Sequence, residues 1–252
     1  MHTAQGRVEP TRLSYTDAVR SLAAAQKSGS GAPPYSRWIN RPLGRRLAAL
    51  AYRVGLSPNQ VTLLSGGCSL AAILGIALVR PQAWLGLVVG ALLVLGYALD
   101  SADGQLARLT GGGSLAGEWL DHMVDTVKVC LLHSAVLISL YRFGSADRPW
   151  LLVPLGYLLV SVVFFVSFLL IGKLRLEAAT GSERRSSGRG LLQTVVALPT
   201  DYGVLCLIFF AFGWPTLFLV LYTALFAAHT LVLSGAMARW WKELTGLTRA
   251  PR

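Results

Sequence analysis

Charge is scarce in this sequence. Asp, Glu, Lys and Arg make up 14% of 252 residues, against 54% hydrophobic residues and a mean hydropathy of +0.54. Soluble domains carry about 25% charged residues, so these values exclude that class and leave a polytopic membrane protein. Cysteine is equally sparse: Cys68, Cys130 and Cys206 each fall in an apolar run, with no CxxC and no histidine-rich neighbourhood. That excludes a disulfide scaffold and a zinc site, and the three read as small buried hydrophobes. No Walker motif is present. The first 58 residues hold nine Lys and Arg and no apolar h-region, which argues against a cleavable signal peptide. Acid is the minority sign, 12 Asp and Glu against 23 Lys and Arg, for a formal net charge of +11. In a membrane protein such an excess decorates cytoplasmic loops and attracts anionic lipid. The basic residues lie at helix ends rather than along a soluble face, so nucleic acid is not an expected partner.

What is abundant is apolar sequence. Six stretches, near residues 59–79, 83–102, 121–142, 149–171, 192–212 and 214–236, reach the roughly 20 residues a helix needs to cross a bilayer. Of the 23 Lys and Arg, 20 lie on one side of these spans, leaving Arg80, Arg142 and Arg148 on the other. The positive-inside rule then places both termini and the acid-rich segment between spans two and three in the cytoplasm, in an inner (plasma) membrane. Before the first span, Trp38, Ile39, Leu43, Leu47, Leu50 and Tyr52 alternate with Arg37, Arg41, Arg45, Arg46 and Arg53, as in an amphipathic helix lying on the leaflet. The expected architecture is an all-α integral membrane protein: a tail and linker over residues 1–34, with a short helix near Thr16 to Ala25; an amphipathic juxtamembrane helix over 35–58; a six-helix domain over 59–240; and a tail over 241–252.

Four aspartates stand out against this background. Asp100, Asp103, Gly104, Ala107 and Arg108 fall at i, i+3, i+4, i+7 and i+8, one stripe of a helix continuing out of the second span. Asp121 and Asp125 form a second pair at i, i+4. The run Thr110 to Ser114, TGGGS, must break the helix, since each interior glycine costs about 1 kcal/mol. The two pairs therefore sit on antiparallel helices joined by a short turn and can converge. Converging carboxylates repel one another, and hard divalent cations with a preference for oxygen ligands relieve that repulsion. Two such ions would clamp a phosphate ester. Gly104 would let a substrate approach the backbone, and Arg108 would grip phosphate with its planar fork. The plainer alternative is that these acids are solvated, cap their helices, or pair with Arg108 and Lys128.

The same residues carry a family resemblance. DSADGQLARLTGGGSLAGEWLDHMVD matches the signature D-x2-D-G-x2-A-R-x8-G-x3-D-x3-D of the CDP-alcohol phosphotransferases, class I, at Asp100, Asp103, Gly104, Ala107, Arg108, Gly117, Asp121 and Asp125. SPNQVT at the start of the first span resembles the family's Pro-Asn/Asp-x-x-Thr. The resemblance implies a transferase that moves a substituted phosphate from a CDP-alcohol, first of all CDP-diacylglycerol, to an acceptor hydroxyl and releases CMP, in phospholipid synthesis. It implies two Mg²⁺ or Mn²⁺ ions on Asp100, Asp103, Asp121 and Asp125, with Asp125 also the general base. Asn59, Thr62, Gly104, Ala107, Arg108, Ser114 and Gly117 would hold the CDP moiety. The runs ARLTGGGSLAGEWLD and K-x-R-x-E-A-x-x-G resemble bacterial phosphatidylinositol phosphate synthases, while INRPLGR resembles members that use the water-soluble CDP-inositol.

A basic cluster after the fourth span, Lys173, Arg175, Arg184, Arg185 and Arg189, could wall an anionic acceptor, or serve only as cytoplasmic charge. His122 is turned about 100° off the face of Asp121 and is expected at the helix surface. His133 and His229 lie inside apolar spans and read as helix-packing residues; Asp201 is placed within the fifth span without a role. Gly86 and Gly90 permit close helix approach, either within the bundle or in a homodimer. Trp84, Trp150, Trp214, Trp240 and Trp241 suit an interfacial belt. Three rival readings have weaker sequence support. A prenyltransferase would separate its acidic motifs, a cation transporter would carry mid-membrane acids on broken helices, and an inactive lipid-binding scaffold would not need the full acid set.

Overall fold

The computed structural model describes residues 13–25, 33–144, 148–178 and 198–249, and the described residues contain helices and turns but no strand. Helix α1 (Tyr15–Ala24) starts at Ser14, whose Oγ accepts the Asp17 N–H at 3.2 Å. It buries Ala18 and Leu22 in a cluster with Ala48, Ala49 and Leu106, so the N-terminal segment is docked on the membrane domain. A π-helical turn (Ser36–Asn40) leads into α2 (Arg41–Val54). The inner face of α2 is made of small residues: Gly44, Ala48, Ala49 and Ala51 are buried, while Trp38, Ile39, Leu50 and Val54 remain exposed beside them. At Gly44 the fit is tight, since a Cβ would stand 2.8 Å from Ser101 of the neighbouring long helix. Gly55, at φ +81°, turns the chain after α2.

Three long helices follow. Helix α3 (Pro58–Leu78) opens with a reciprocal cap: Ser57 Oγ accepts the Gln60 N–H at 3.3 Å and Gln60 Oε1 accepts the Ser57 N–H at 2.8 Å, with Pro58 in the first helical position. Helix α4 (Ala83–Thr110) runs without a break through the first aspartate pair and stops at Gly111, at φ +65°, a left-handed position that suits glycine. Ser114 then starts α5 (Leu115–Phe143), its Oγ accepting the Gly117 N–H at 3.0 Å. The TGGGS run breaks the helix as expected. Beyond a 3₁₀ turn (Arg148–Leu151), α6 (Leu152–Ala178) is the most apolar of the long helices. After the 3₁₀ turn Leu198–Thr200, a short helix α7 (Tyr202–Ile208) passes into a further 3₁₀ stretch (Phe209–Gly213), and α8 (Pro215–Arg249) closes the chain.

Among the described residues, five helices are long and apolar enough to cross a membrane: Pro58–Leu78, Ala83–Thr110, Leu115–Phe143, Pro149–Glu177 and Pro215–Gly246. The protein is an all-α, multi-pass membrane protein. The expected fifth span over 192–212 differs in the structure. Its described part is the shorter apolar helix Tyr202–Gly213, and residues 192–197 lie outside the described residues. The cause is local: Pro199 sits in a 3₁₀ turn, and Asp201 ends that turn by capping the next helix, so no single rod runs through 198–212. Asp201 is thus a boundary residue rather than an interior one. Its Oδ1 accepts the Gly203 N–H at 3.1 Å and its Oδ2 accepts the Ser36 N–H at 3.0 Å, tying the surface segment to the bundle while almost fully buried.

The core is aromatic where α6, α7 and α8 meet. Phe209, Phe212, Phe218, Tyr157 and Tyr222 interlock with Leu93, Leu132 and Val136. His133 is a packing residue, as expected: its Nδ1 meets Tyr222 Oη and its Nε2 meets Ser161 Oγ at 2.9 Å. The Gly86/Gly90 stripe packs within the chain, where a Cβ on Gly86 would stand 2.8 Å from Phe210 O and one on Gly90 would stand 2.6 Å from the Phe210 ring.

Gly203 is the tightest of these approaches, its missing Cβ falling 1.9 Å from Tyr35 Cδ1. Gly203→Val should therefore force Tyr35 off the bundle and lower stability by about 1–3 kcal/mol, as overpacked cores do. Thermal unfolding in detergent measures this, with Gly172→Ala, which faces open space, as the control. Equal midpoints for Gly203→Val and wild type would refute the packing argument.

Candidate active site

The turn between α4 and α5 lets the two aspartate pairs face each other across a cleft. Asp103 is held at both oxygens: Thr62 Oγ1 donates to Oδ2 at 2.7 Å, and the Gly104 N–H donates to Oδ1. Thr62 comes from the first turn of α3, so the cap at Ser57 and Pro58 that starts this helix also aims Thr62 at α4. On the other side, Lys128 Nζ lies 2.6 Å from Asp100 Oδ1 and 2.6 Å from Asp125 Oδ1. Asp121 faces the cleft between them. One donor atom from each of Asp121, His122 and Asp125 falls within 4.8 Å of the others, a spacing that suits a bound cation.

Two adjoining cavities follow from this arrangement. The larger, about 670 Å³, is lined by Asp103 and Asp121 together with Asn59, Thr62, Gly104, Ala107, Arg108, Ser114 and Gly117. All seven residues assigned to the CDP moiety by resemblance therefore meet in one place. Gly117 allows this: a Cβ there would stand 3.0 Å from Asn59 Oδ1 and 3.1 Å from Ser114 Oγ. The glycine run Gly111, Gly112 and Gly113 forms one wall of bare backbone, and the first turn of α5 opens into the same space, its N-terminal dipole end favouring an anion. The smaller cavity, about 230 Å³, is bounded by Arg41, Ser101, Gln105 and Arg108 with Asp100, Asp103 and Asp121.

Several placements differ from the sequence reading. Asp125 lines neither cavity and is held by Lys128. The alternative that the acids pair with a base thus holds in part, since Lys128 bonds two of the four. His122 lies in the wall of the larger cavity, also 4.0 Å from Glu118, rather than at an uninvolved surface. Lys173 is exposed and lines neither cavity, whereas Arg184, Arg185 and Arg189 lie outside the described residues. Near Lys173, Arg175 is taken up by Glu243 through two bonds of 2.7 Å that join α6 to α8. Arg41, read from sequence as one of the arginines of an amphipathic helix on the leaflet, borders the smaller cavity. A signal for Lys128 was available: Asp121, Asp125 and Lys128 fall at i, i+4 and i+7, one helical face.

The oxygen-rich donor set of Asp100, Asp103, Asp121 and Asp125 fits hard divalent cations, and Arg108 with the helix N-terminus fits a diphosphate. The family model for CDP-alcohol phosphatidyltransferase matches residues 56–222. The CDP-diacylglycerol–serine O-phosphatidyltransferase of Encephalitozoon cuniculi is 32% identical over 123 residues, 46% of this chain and 29% of that protein. The phosphatidylinositol phosphate synthase of Corynebacterium glutamicum is 32% identical over 107 residues, 42% of this chain and 46% of that protein. The chain thus spans less than half the length of these two relatives. The crystal structure of the Mycobacterium tuberculosis phosphatidylinositol phosphate synthase in apo form matches with a TM-score of 0.50 at 26% identity, over 77% of this chain and 94% of that one. That protein in complex with manganese and citrate matches in fold with a TM-score of 0.50 at 24% identity, over 81% and 89%. With the family model covering about two thirds of its length and all eight signature residues on α4 and α5, this chain belongs to the CDP-alcohol phosphatidyltransferase family.

Proposed function

We propose that the cleft transfers a substituted phosphate group from a CDP-alcohol to an acceptor hydroxyl with release of CMP, and that the donor is CDP-diacylglycerol. The observation that carries this reading is the meeting of Asn59, Thr62, Gly104, Ala107, Arg108, Ser114 and Gly117 with Asp103 and Asp121 around one cavity. The named donor of the Encephalitozoon relative supports the lipid nucleotide, and the Corynebacterium relative supports a phosphorylated inositol as acceptor. Asn59 and Thr62 bound the cytidine end, while Arg108 and the first turn of α5 bind the diphosphate. Asp125, which must leave Lys128 to reach the acceptor, takes the proton from the acceptor hydroxyl as the hydroxyl oxygen forms a bond to the phosphorus that carries the alcohol. The bond from that phosphorus to the CMP oxygen breaks, and CMP departs as the leaving group.

Asp100, Asp103, Asp121 and Asp125 would hold two divalent cations, Mg²⁺ or Mn²⁺. Bound there, the ions would supply charge neutralisation for the diphosphate and its leaving oxygen. The basic run Arg184, Arg185 and Arg189 follows α6 on the expected cytoplasmic side and supplies positive charge for an anionic acceptor. The lysine and arginine distribution supports an inner-membrane location with both termini and the cleft facing the cytoplasm.

The test is direct. Purified protein with Mg²⁺ and CDP-diacylglycerol is offered inositol phosphate, glycerol phosphate or serine, and CMP is measured. Release that depends on both donor and one acceptor is expected. A water-soluble donor such as CDP-inositol working in place of the lipid would replace the donor assignment, and silence with every pair would remove the transferase reading.

A further inference from the structure

Lys128 has no task in the proposed transfer, yet it is one of the most buried charged groups in the protein, 6% exposed. Three helices meet at its ammonium: Asp100 on α4 and Asp125 on α5 each stand at 2.6 Å, and Ser65 Oγ on α3 stands at 3.5 Å. Both carboxylates belong to the four that the sequence reading assigns to metal ions, and each gives Lys128 its Oδ1. Buried like charges repel strongly, and a buried ion without a partner is costly, so this ammonium and these two carboxylates stabilise one another.

We propose that Lys128 is a built-in counter-ion of the carboxylate cluster: it holds Asp100 and Asp125 together in the metal-free protein, and a divalent cation that takes either carboxylate must first displace it. The inference rests on the divalent-cation reading of these four aspartates. Metal binding is then an exchange of cations rather than a simple addition, and apparent affinity is reduced by the cost of moving the ammonium. Ser65 gives the displaced group a polar neighbour, since its hydroxyl is already fixed by donating to Gly96 O at 2.8 Å and keeps acceptor capacity toward Nζ. The same arrangement explains how four acids can be packed at the ends of apolar helices without metal: one cation of the chain itself is always present.

The test follows Mn²⁺ binding to the purified full chain by electron paramagnetic resonance, with thermal unfolding of the same samples. Lys128→Met should bind Mn²⁺ about tenfold more tightly or better, because the competitor is gone. Without metal its unfolding midpoint should fall, and Mn²⁺ should raise that midpoint by more than it raises wild type. Lys128→Arg keeps the charge and should stay near wild type in both measurements. If Lys128→Met can be isolated only with Mn²⁺ present, that rescue is the expected behaviour, because the divalent ion replaces the missing charge. Equal or weaker Mn²⁺ binding by Lys128→Met overturns the inference but leaves the divalent site standing. Failure of both Lys128→Met and Lys128→Gln to fold even in Mn²⁺ overturns it too, and no Mn²⁺ binding by wild type removes the divalent-cation reading along with it.

Discussion

Asp125→Asn is expected to slow CMP release by about 10²- to 10⁴-fold, the range that a positioned general base contributes. The substitution keeps the shape of the side chain but removes its capacity to take a proton. It should not unfold the protein, because Lys128 keeps its 2.6 Å partner Asp100 and α5 keeps its Ser114 cap and its His133 anchor in the core. Single-turnover CMP release measures the effect, and circular dichroism confirms the helical content. Turnover at the wild-type rate would show that the proton goes elsewhere, with His122, three residues earlier on α5 and with a donor atom within 4.8 Å, as the next group to test.

Removal of divalent cations by a chelator should stop turnover, with a loss of about 10³-fold or more, since several kcal/mol of charge stabilisation at the diphosphate would vanish with the ions. Return of Mg²⁺ or Mn²⁺ should restore it, and added monovalent salt should not. The chelated protein should remain folded, because two of the four acids are already paired with Lys128 and a third, Asp103, is fixed by Thr62 and the Gly104 N–H. Wild-type rates in excess chelator would contradict the role given to the aspartates.

Much of the site was legible because its chemistry is local. The spacing of eight residues places them on two helices, and the glycine run between them dictates an antiparallel return, so convergence of Asp103 and Asp121 with Gly104, Ala107, Arg108 and Gly117 follows from helical periodicity, whereas Asn59 and Thr62, on α3, were assigned by the family resemblance. The long helices α3, α4, α5, α6 and α8 were legible for a similar reason, as continuous apolar length. What escaped depends on contacts distant in sequence. Lys128 stood in the sequence only as a possible partner of solvated acids, and it is the approach of α4 that brings Asp100 to it and buries the lysine. Arg41 belonged to an arginine-rich amphipathic stretch whose pattern says lipid surface, and the docking of α2 on α4 through Gly44 and Ala48 turns it toward the smaller cavity. The expected fifth span is described only from Leu198, and there Asp201 interrupts the rod, because hydropathy averages across a residue that caps a helix and captures the Ser36 N–H. Lys173 was grouped with the acceptor residues on charge alone, and its position on the exposed side of α6 does not bring it to either cavity.

Helix α5 carries two anchors on one rigid rod. Near its start stand Asp121, Asp125 and Lys128; a short way further along, His133 is locked between Tyr222 and Ser161. Because each added residue turns a helix by about 100°, the interval between the ammonium and the imidazole is a gauge of fixed length. Lengthening or shortening it by one position would leave one group at its post and swing the other into lipid, so the chain can vary the composition of that interval but not its count.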